Sequence, residues 1–401
     1  MPKNVIRPWR QLVLRRWNLN LTLAFMADGG KRIFGLDAMR ATAITLVIVS
    51  HLSLLYTSGP ESPLMSFLGT MGVEIFFVLS GFLIGGIIIR LMHAHRFNTL
   101  PDLWHFWLNR WFRTLPAYYF FVLFFAFFHG HFFWQLVHHA SYLFFLQNLA
   151  WNVQETFFGQ SWSLAVEEWF YLLFPLLLYG AFAWGRLPLR ASVFGVALSL
   201  FGLSLALRIA HGPASNLPDF GESIRKWVIF RFDALMIGVL TAYARCEMPR
   251  LWQFLLAAMG PFFVAYGAIC LFMIFGIQWL LIMPWLQMIF LPVVSLAIAA
   301  ILPVFAEWES STSLLRAPTV GLARISYSLY LVHIVPIHLM LRSRLFQHHP
   351  WYAPLVALAA MILFGAGTYA LIEAPIMRWR AQWNKRFQAG QDVPVAKEAL
   401  V

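Results

Sequence analysis

Charge is what this 401-residue chain has least of. Asp, Glu, Lys and Arg make up 11% of it, where a soluble domain carries about a quarter. Cysteine is almost missing: Cys246 and Cys270 are the only two, which excludes a disulfide framework and a thiolate metal site. Acidic residues are scarce as well, 17 against 29 Lys and Arg, for a net charge of +12. A count like that fits a nucleic-acid binder, but the basic residues lie between apolar runs, where they set membrane topology instead. There is no Gly-rich phosphate loop, no nucleophile elbow and no zinc-ligand spacing. Internal repeats and low-complexity tracts are also lacking. Hydrophobic residues fill the space, at 60%, with 39 Phe and 18 Trp. That composition belongs to a polytopic membrane protein.

Apolar windows of spanning length predict an all-α bundle of about ten transmembrane helices around a central polar cavity. They fall near 36–57, 65–91, 115–133, 163–184, 190–210, 225–246, 252–276, 279–305, 321–343 and 352–374. The basic residues share one face, which the positive-inside rule makes cytoplasmic; both termini then lie there too. Residues 1–35 read as a basic interfacial segment, 36–376 as the membrane domain and 377–401 as a cytoplasmic tail, disordered from about 387. His93 to Arg113 reads as a separate interfacial helix, and His129 to Gln160 as an aromatic cover over the outer mouth.

The first span carries Asp37, Arg40 and His51. Eleven residues at about 100° each bring Arg40 and His51 to one helix face, about 16 Å apart along the axis. Charge at such depth normally turns toward a bundle interior. His51 is either a satisfied core histidine or a base. Asp37 orients Arg40 or caps the helix start. Glu74 shares a face with Val78, Gly81 and Gly85, which sets it against a neighbouring helix; it is either a structural carboxylate or a support for catalysis. Ser161 to Tyr171 contains Glu167 and Glu168, about 100° apart, so that one of them faces the bundle centre. A histidine that takes a proton and a carboxylate that orients it would suit general-base work.

Arg110 and Arg113 lie on one helix face beside Trp111, an arrangement that serves lipid headgroups or binds phosphates and a purine ring. Arg231 and Asp233 read as a structural charge pair. Ser326, Tyr330 and His333 share a face of the ninth span, and His333 is either part of a second polar wall of the cavity or a satisfied core residue. His129, His131, His138 and His139 have no carboxylate or cysteine interleaved and read as interfacial histidines, not as a metal site.

Taken in order, these pieces resemble the integral-membrane acyltransferase-3 family, which O-acylates carbohydrates of bacterial envelopes. The likeness rests on Gly35 to Arg40 with His51, Gly72 to Ile84 around Glu74, and Arg110 to Arg113 with Pro116 and Tyr118. It continues through Ser161 to Tyr171, Arg231 to Gly238, Ile325 to His333 (with Tyr327 and Tyr330), and Glu373 to Pro375. The resemblance implies an acyl-CoA donor, usually acetyl-CoA, as co-substrate with no bound cofactor, and a carbohydrate hydroxyl as acceptor. It implies a multi-pass protein of the bacterial inner membrane. Arg40 and His51 would be the functional pair, and Arg110 and Arg113 would bind the donor. Many family members carry a C-terminal hydrolase-like domain, absent here, so a second acyl-handling step would need another protein. The rival reading is an exporter of a lipid-linked sugar or an acyl group, for which paired inverted repeats with broken helices are expected. A non-catalytic scaffold is a third. The acceptor, the acyl group, the glutamate that would support His51, the choice between direct transfer and an acyl-histidine intermediate, and the oligomeric state stay open.

Overall fold

The computed structural model describes residues 32–56, 62–276, 279–310, 312, 314–343 and 350–391. The expected interfacial stretch before residue 32 and the end of the tail after residue 391 lie outside them. Among the described residues every element is helical. Seven helices are long and apolar enough to cross a membrane, or up to nine if each of two bent pairs counts once. The chain is a multi-pass membrane protein.

The main helices are α1 (Phe34–Leu52), α2 (Pro63–His93), α3 (Leu100–Phe128), α4 (Trp162–Tyr179) and α5 (Leu189–His211). They continue with α6 (Phe232–Glu247), α7 (Pro249–Ala257), α8 (Met259–Gly276) and α9 (Pro284–Glu307). Last come α10 (Arg316–Val332), α11 (Ile334–Arg342), α12 (Ala353–Thr368) and α13 (Ala374–Gln391). The centre is α2, buried on nearly every face between α1 and α6. Glycines let it in. A Cβ on Gly81 would fall on the Leu235 carbonyl of α6, and one on Gly238 of α6 on the Val78 carbonyl of α2. Gly72 meets the Ala43 carbonyl of α1 in the same way. Between membrane helices, where hydrophobic drive is weak, such backbone contact is the main source of adhesion.

Two helix breaks coincide with prolines, although Pro116, Pro175, Pro292 and Pro303 lie inside continuous helices. α7 and α8 meet at 67°, and α10 and α11 at 50°. Pro261 and Pro336 lie four residues beyond Ala257 and Val332, where each helix ends, and a proline ring clashes with the carbonyl four residues back. Pro375 is handled differently: a π turn at Tyr369–Glu373 joins α12 to α13 without a break.

Three expectations change. His93 to Arg113 is not a separate interfacial helix; α3 is continuous from Leu100, started by a capping box between Thr99 and Asp102. The sixth expected span shrinks to α6, with 16 residues, because the chain before it turns through short π and 3-10 segments. The tail is helical to Gln391, and Arg380 of α13 donates to the Asn109 carbonyl at 3.0 Å.

Candidate active site

Between α1, α2, α3, α4 and α10 lies an open cavity whose interior volume is about 140 Å³. Arg40, Arg110, Arg113, Glu167, Tyr171 and Tyr327 are among the side chains that line it. Apolar residues of α2, Phe76, Phe77 and Leu79 among them, form the opposite wall.

The arginines are unequally held. Asp37 is taken up bidentately by Arg32, with both contacts at 2.9 Å, and reaches Arg40 only at 3.5 Å. Asp37 thus serves Arg32 first, and its side chain makes no bond that caps α1. Arg110 donates to the Tyr171 hydroxyl at 2.8 Å, and its guanidinium also lies 4.3 Å from the centre of that ring. Arg113 makes no hydrogen bond or ion pair among the described residues. Three guanidiniums thus share one cavity with Glu167, one cation in excess of what Glu167 and Asp37 supply even before Arg32 is counted, an arrangement able to hold an anion.

Tyr171 connects the walls. Its hydroxyl meets Ser80 Oγ of α2 at 2.6 Å as well as Arg110, while Trp107 Nε1 donates to its backbone carbonyl at 3.0 Å. Glu167 faces Ser80, Tyr171 and Arg110 in the cavity. Glu168 is turned the other way, toward Thr114 of α3. The Tyr327 hydroxyl donates to the Thr114 carbonyl at 2.7 Å. The Tyr330 hydroxyl donates to the Gln160 carbonyl at 3.0 Å and meets Ser163 Oγ at 2.6 Å. Ser161 lies apart from the cavity, its hydroxyl donating to the Phe158 carbonyl at 2.7 Å.

His51 sits at the other end of α1, half-buried. Its Nδ1 lies 2.8 Å from the Val47 carbonyl. A carbonyl only accepts, so Nδ1 carries the proton and the lone pair is on Nε2. The ring packs edge-on against His333, with centroids 4.7 Å apart. Neither ring lines the cavity, but Tyr330 does, 5.4 Å from His333 between centroids.

None of the three candidate glutamates, Glu74, Glu167 and Glu168, is brought to His51 among the described residues. Glu74, one of the candidates to orient it, instead accepts from Arg231 and, at 2.8 Å, from Ser295. Arg231 also faces Asp233 at 3.6 Å, and Asp233 is paired with Arg208 of α5 at 2.5 Å. Both arginines are fully buried. The reason is geometric: the glycine face of α2 that carries Glu74 packs on α6, where Arg231 and Asp233 stand. Sequence reasoning missed Arg208, Ser295, Ser80 and Thr114. Arg208 alone left a signal, as a charge deep in a span whose other charge, Arg190, lies at its start. The outer histidines are engaged separately: His138 stacks on Trp134 and His139 on Phe157. Among the described residues no group of three or more His, Cys, Asp and Glu could hold a metal ion.

Comparison with known proteins fits this arrangement. A family model described as an acyltransferase domain matches residues 33–373. O-acetyltransferase OatA of Staphylococcus aureus is 29% identical over 370 residues, covering 86% of this chain and 57% of that protein. Peptidoglycan O-acetyltransferase OatA of Listeria monocytogenes is 29% identical over 241 residues, 56% of this chain and 35% of that one. The chain thus spans about three fifths or less of the length of the curated relatives it matches. No solved structure matches. With the family model spanning most of the chain, from the start of α1 to the end of the π turn before α13, this protein belongs to the acyltransferase-3 family.

Proposed function

We propose that the protein is an O-acetyltransferase that moves the acyl group of a cytoplasmic acyl-CoA, most simply acetyl-CoA, to a hydroxyl of an envelope carbohydrate. The observation that carries this reading is Arg113, unpaired beside Arg40 and Arg110 on the cavity wall. The phosphates of the donor would lie against these guanidiniums, with Trp107 and Trp111 nearby as stacking surfaces. Its pantetheine arm would then run along the apolar wall of α2 toward Tyr330. The rise of about 16 Å between Arg40 and His51 is of the right order for that arm. Ten crossings with both termini cytoplasmic, in the bacterial inner membrane, would put the arginines on the donor's side.

His51 Nε2 takes the proton from the carbohydrate hydroxyl. The hydroxyl oxygen bonds to the acyl carbon, the C–S bond breaks, and CoA leaves as the thiolate. The proton on His51 then passes to that sulfur. The names of the relatives, O-acetyltransferases and in one case a peptidoglycan O-acetyltransferase, favour a glycan of that kind as acceptor.

Two variants test the reading in purified protein. Arg113→Ala is expected to raise the KM for acetyl-CoA about tenfold or more, the loss of one charge-assisted contact. An unchanged KM would remove the donor site from this cavity. His51→Ala should abolish release of CoA in the presence of acceptor; near-normal turnover would end the assignment of the base. Transport of a labelled sugar without consumption of acyl-CoA would favour an exporter instead.

A further inference from the structure

The cavity that carries the three arginines is closed at its far end. Along α4 its lining residues run from Tyr171, bonded to Arg110, to Ser163, about 12 Å further along the axis. There Ser163 is bonded to Tyr330 of α10, whose ring lies edge-on against Phe76 of α2, 6.2 Å between centroids. One side chain from each of three helices thus forms an end wall. Ser163 and Tyr330 are buried, so this end does not open to solvent.

The Tyr330 hydroxyl is held twice. It donates to the Gln160 carbonyl at 3.0 Å, and with its one proton given it accepts from Ser163 Oγ at 2.6 Å. Gln160 grips α10 in return, its side chain donating to the Leu331 carbonyl at 3.0 Å. Gln160 belongs to the 3-10 turn Gly159–Ser161 ahead of α4. The wall is therefore fastened to a connecting segment, and Tyr330 stands two residues before α10 ends at its 50° bend into α11. Behind the wall are the two histidines. Neither lines the cavity, whereas Tyr330 lines it on one side and on the other lies 5.4 Å from the His333 ring, which packs against His51.

A donor seated on the arginines would meet Tyr330 before it could meet His51. We propose that Tyr330 is a gate that selects a carbohydrate hydroxyl over water. Closed, it keeps the bound thioester from water; it moves aside when the carbohydrate enters. This rests on the reading of the cavity as the acyl-CoA site and of His51 as the base. Without the gate, a water oxygen bonds to the acyl carbon and the C–S bond breaks. CoA leaves as the thiolate and takes a proton from that water, giving acetic acid and CoA. Water and a sugar hydroxyl react alike with a thioester, so an enzyme that spends acyl-CoA on a sugar has to keep water out until the sugar is in place. Opening breaks two neutral hydrogen bonds, a cost that binding of an acceptor can meet.

The test uses full-length protein in lipid nanodiscs. CoA release from acetyl-CoA is followed with water alone and with tetra-N-acetylglucosamine as probe acceptor, and calorimetry measures acetyl-CoA binding. Tyr330→Phe keeps the ring and loses both bonds; it is expected to raise saturable CoA release in water about tenfold. Tyr330→Ala, which removes the wall, should raise it further. Ser163→Ala leaves the bond to Gln160 and should raise it about threefold. The ratio of release in water to release with acceptor should climb in the same order. A variant that is merely less stable does not move this ratio, because the folded fraction cancels. The water arm holds whether or not the probe is accepted. Tyr330 variants that bind acetyl-CoA but release CoA to water at the wild-type rate would overturn the proposal. If they no longer bind acetyl-CoA, Ser163→Ala decides, and an unchanged rate there overturns it too. Wild-type protein that binds no acetyl-CoA would remove the donor reading and the gate together; binding without faster hydrolysis in the variants removes the gate alone.

Discussion

Replacing Glu74 by Gln distinguishes a structural carboxylate from a catalytic one. Glu74 and Asp233 are two buried anions set against two buried cations, Arg231 and Arg208, so the group is neutral as a whole. The variant keeps the shape of the side chain and leaves one positive charge uncompensated. Breaking a buried pair costs about 3–5 kcal/mol in soluble proteins. A lone arginine at the centre of a membrane costs about 3 kcal/mol on insertion scales. The two estimates agree, and about 3 kcal/mol is expected for Glu74→Gln. Adding Arg231→Gln restores neutrality, so the double variant should recover about half of that loss, far from the sum of the two single changes. The measurement is reversible unfolding of purified protein in mixed micelles, with turnover expressed per folded molecule. Glu74→Gln that unfolds like wild type but has lost turnover would refute the structural assignment and return Glu74 to the chemistry. Additive losses in the double variant would show that the charges do not act as a network.

Three further outcomes follow from contacts already described. Gly81→Ala sets a methyl on the Leu235 carbonyl and forces α2 from α6, at an expected cost of about 1–3 kcal/mol, while Gly195→Ala in α5, with nothing within 4 Å, should be neutral or slightly stabilising; unfolding curves compare the two. Tyr171→Phe removes the hydroxyl shared by Arg110 and Ser80 but keeps the ring under the guanidinium, so the KM for acetyl-CoA should rise about tenfold with little change in unfolding. Arg208→Met should destabilise by about as much as Glu74→Gln, since it strands Asp233, and a parallel Asp233→Asn change should relieve part of the loss.

Helix periodicity made much of this bundle legible. The apolar windows located the membrane helices, and the glycine spacing of α2 marked a face of close approach that the Gly81 and Gly238 contacts display. The i, i+3 spacing put Arg110 and Arg113 on one face, and both line the cavity. What periodicity misses is any rule that acts over four residues inside an apolar run. Pro261 and Pro336 split spans that hydropathy reads as continuous, and Thr99 with Asp102 begins α3 well before the apolar window opens. Partnerships between helices were beyond reach for a different reason. Glu74 has the same neighbours in sequence whether it meets His51 or Arg231, and only the packing of α2 on α6 chooses between them.

That choice divides the buried charges by what surrounds them. Arg208 and Arg231 are matched by Asp233 and Glu74, fully enclosed, and bonded further to backbone carbonyls of Met288 and Arg225. They lie away from the cavity and hold α2, α5, α6 and α9 together. Arg40, Arg110 and Arg113 are the reverse: half-buried on a cavity wall, with Asp37 distant from Arg40 and with Tyr171 and Glu167 facing Arg110. A fold gains no stability from three such cations side by side. The arrangement suits the donor phosphates proposed above, and a membrane sharpens the need for such a counter-ion. Unmatched charge there has few other ways to be tolerated.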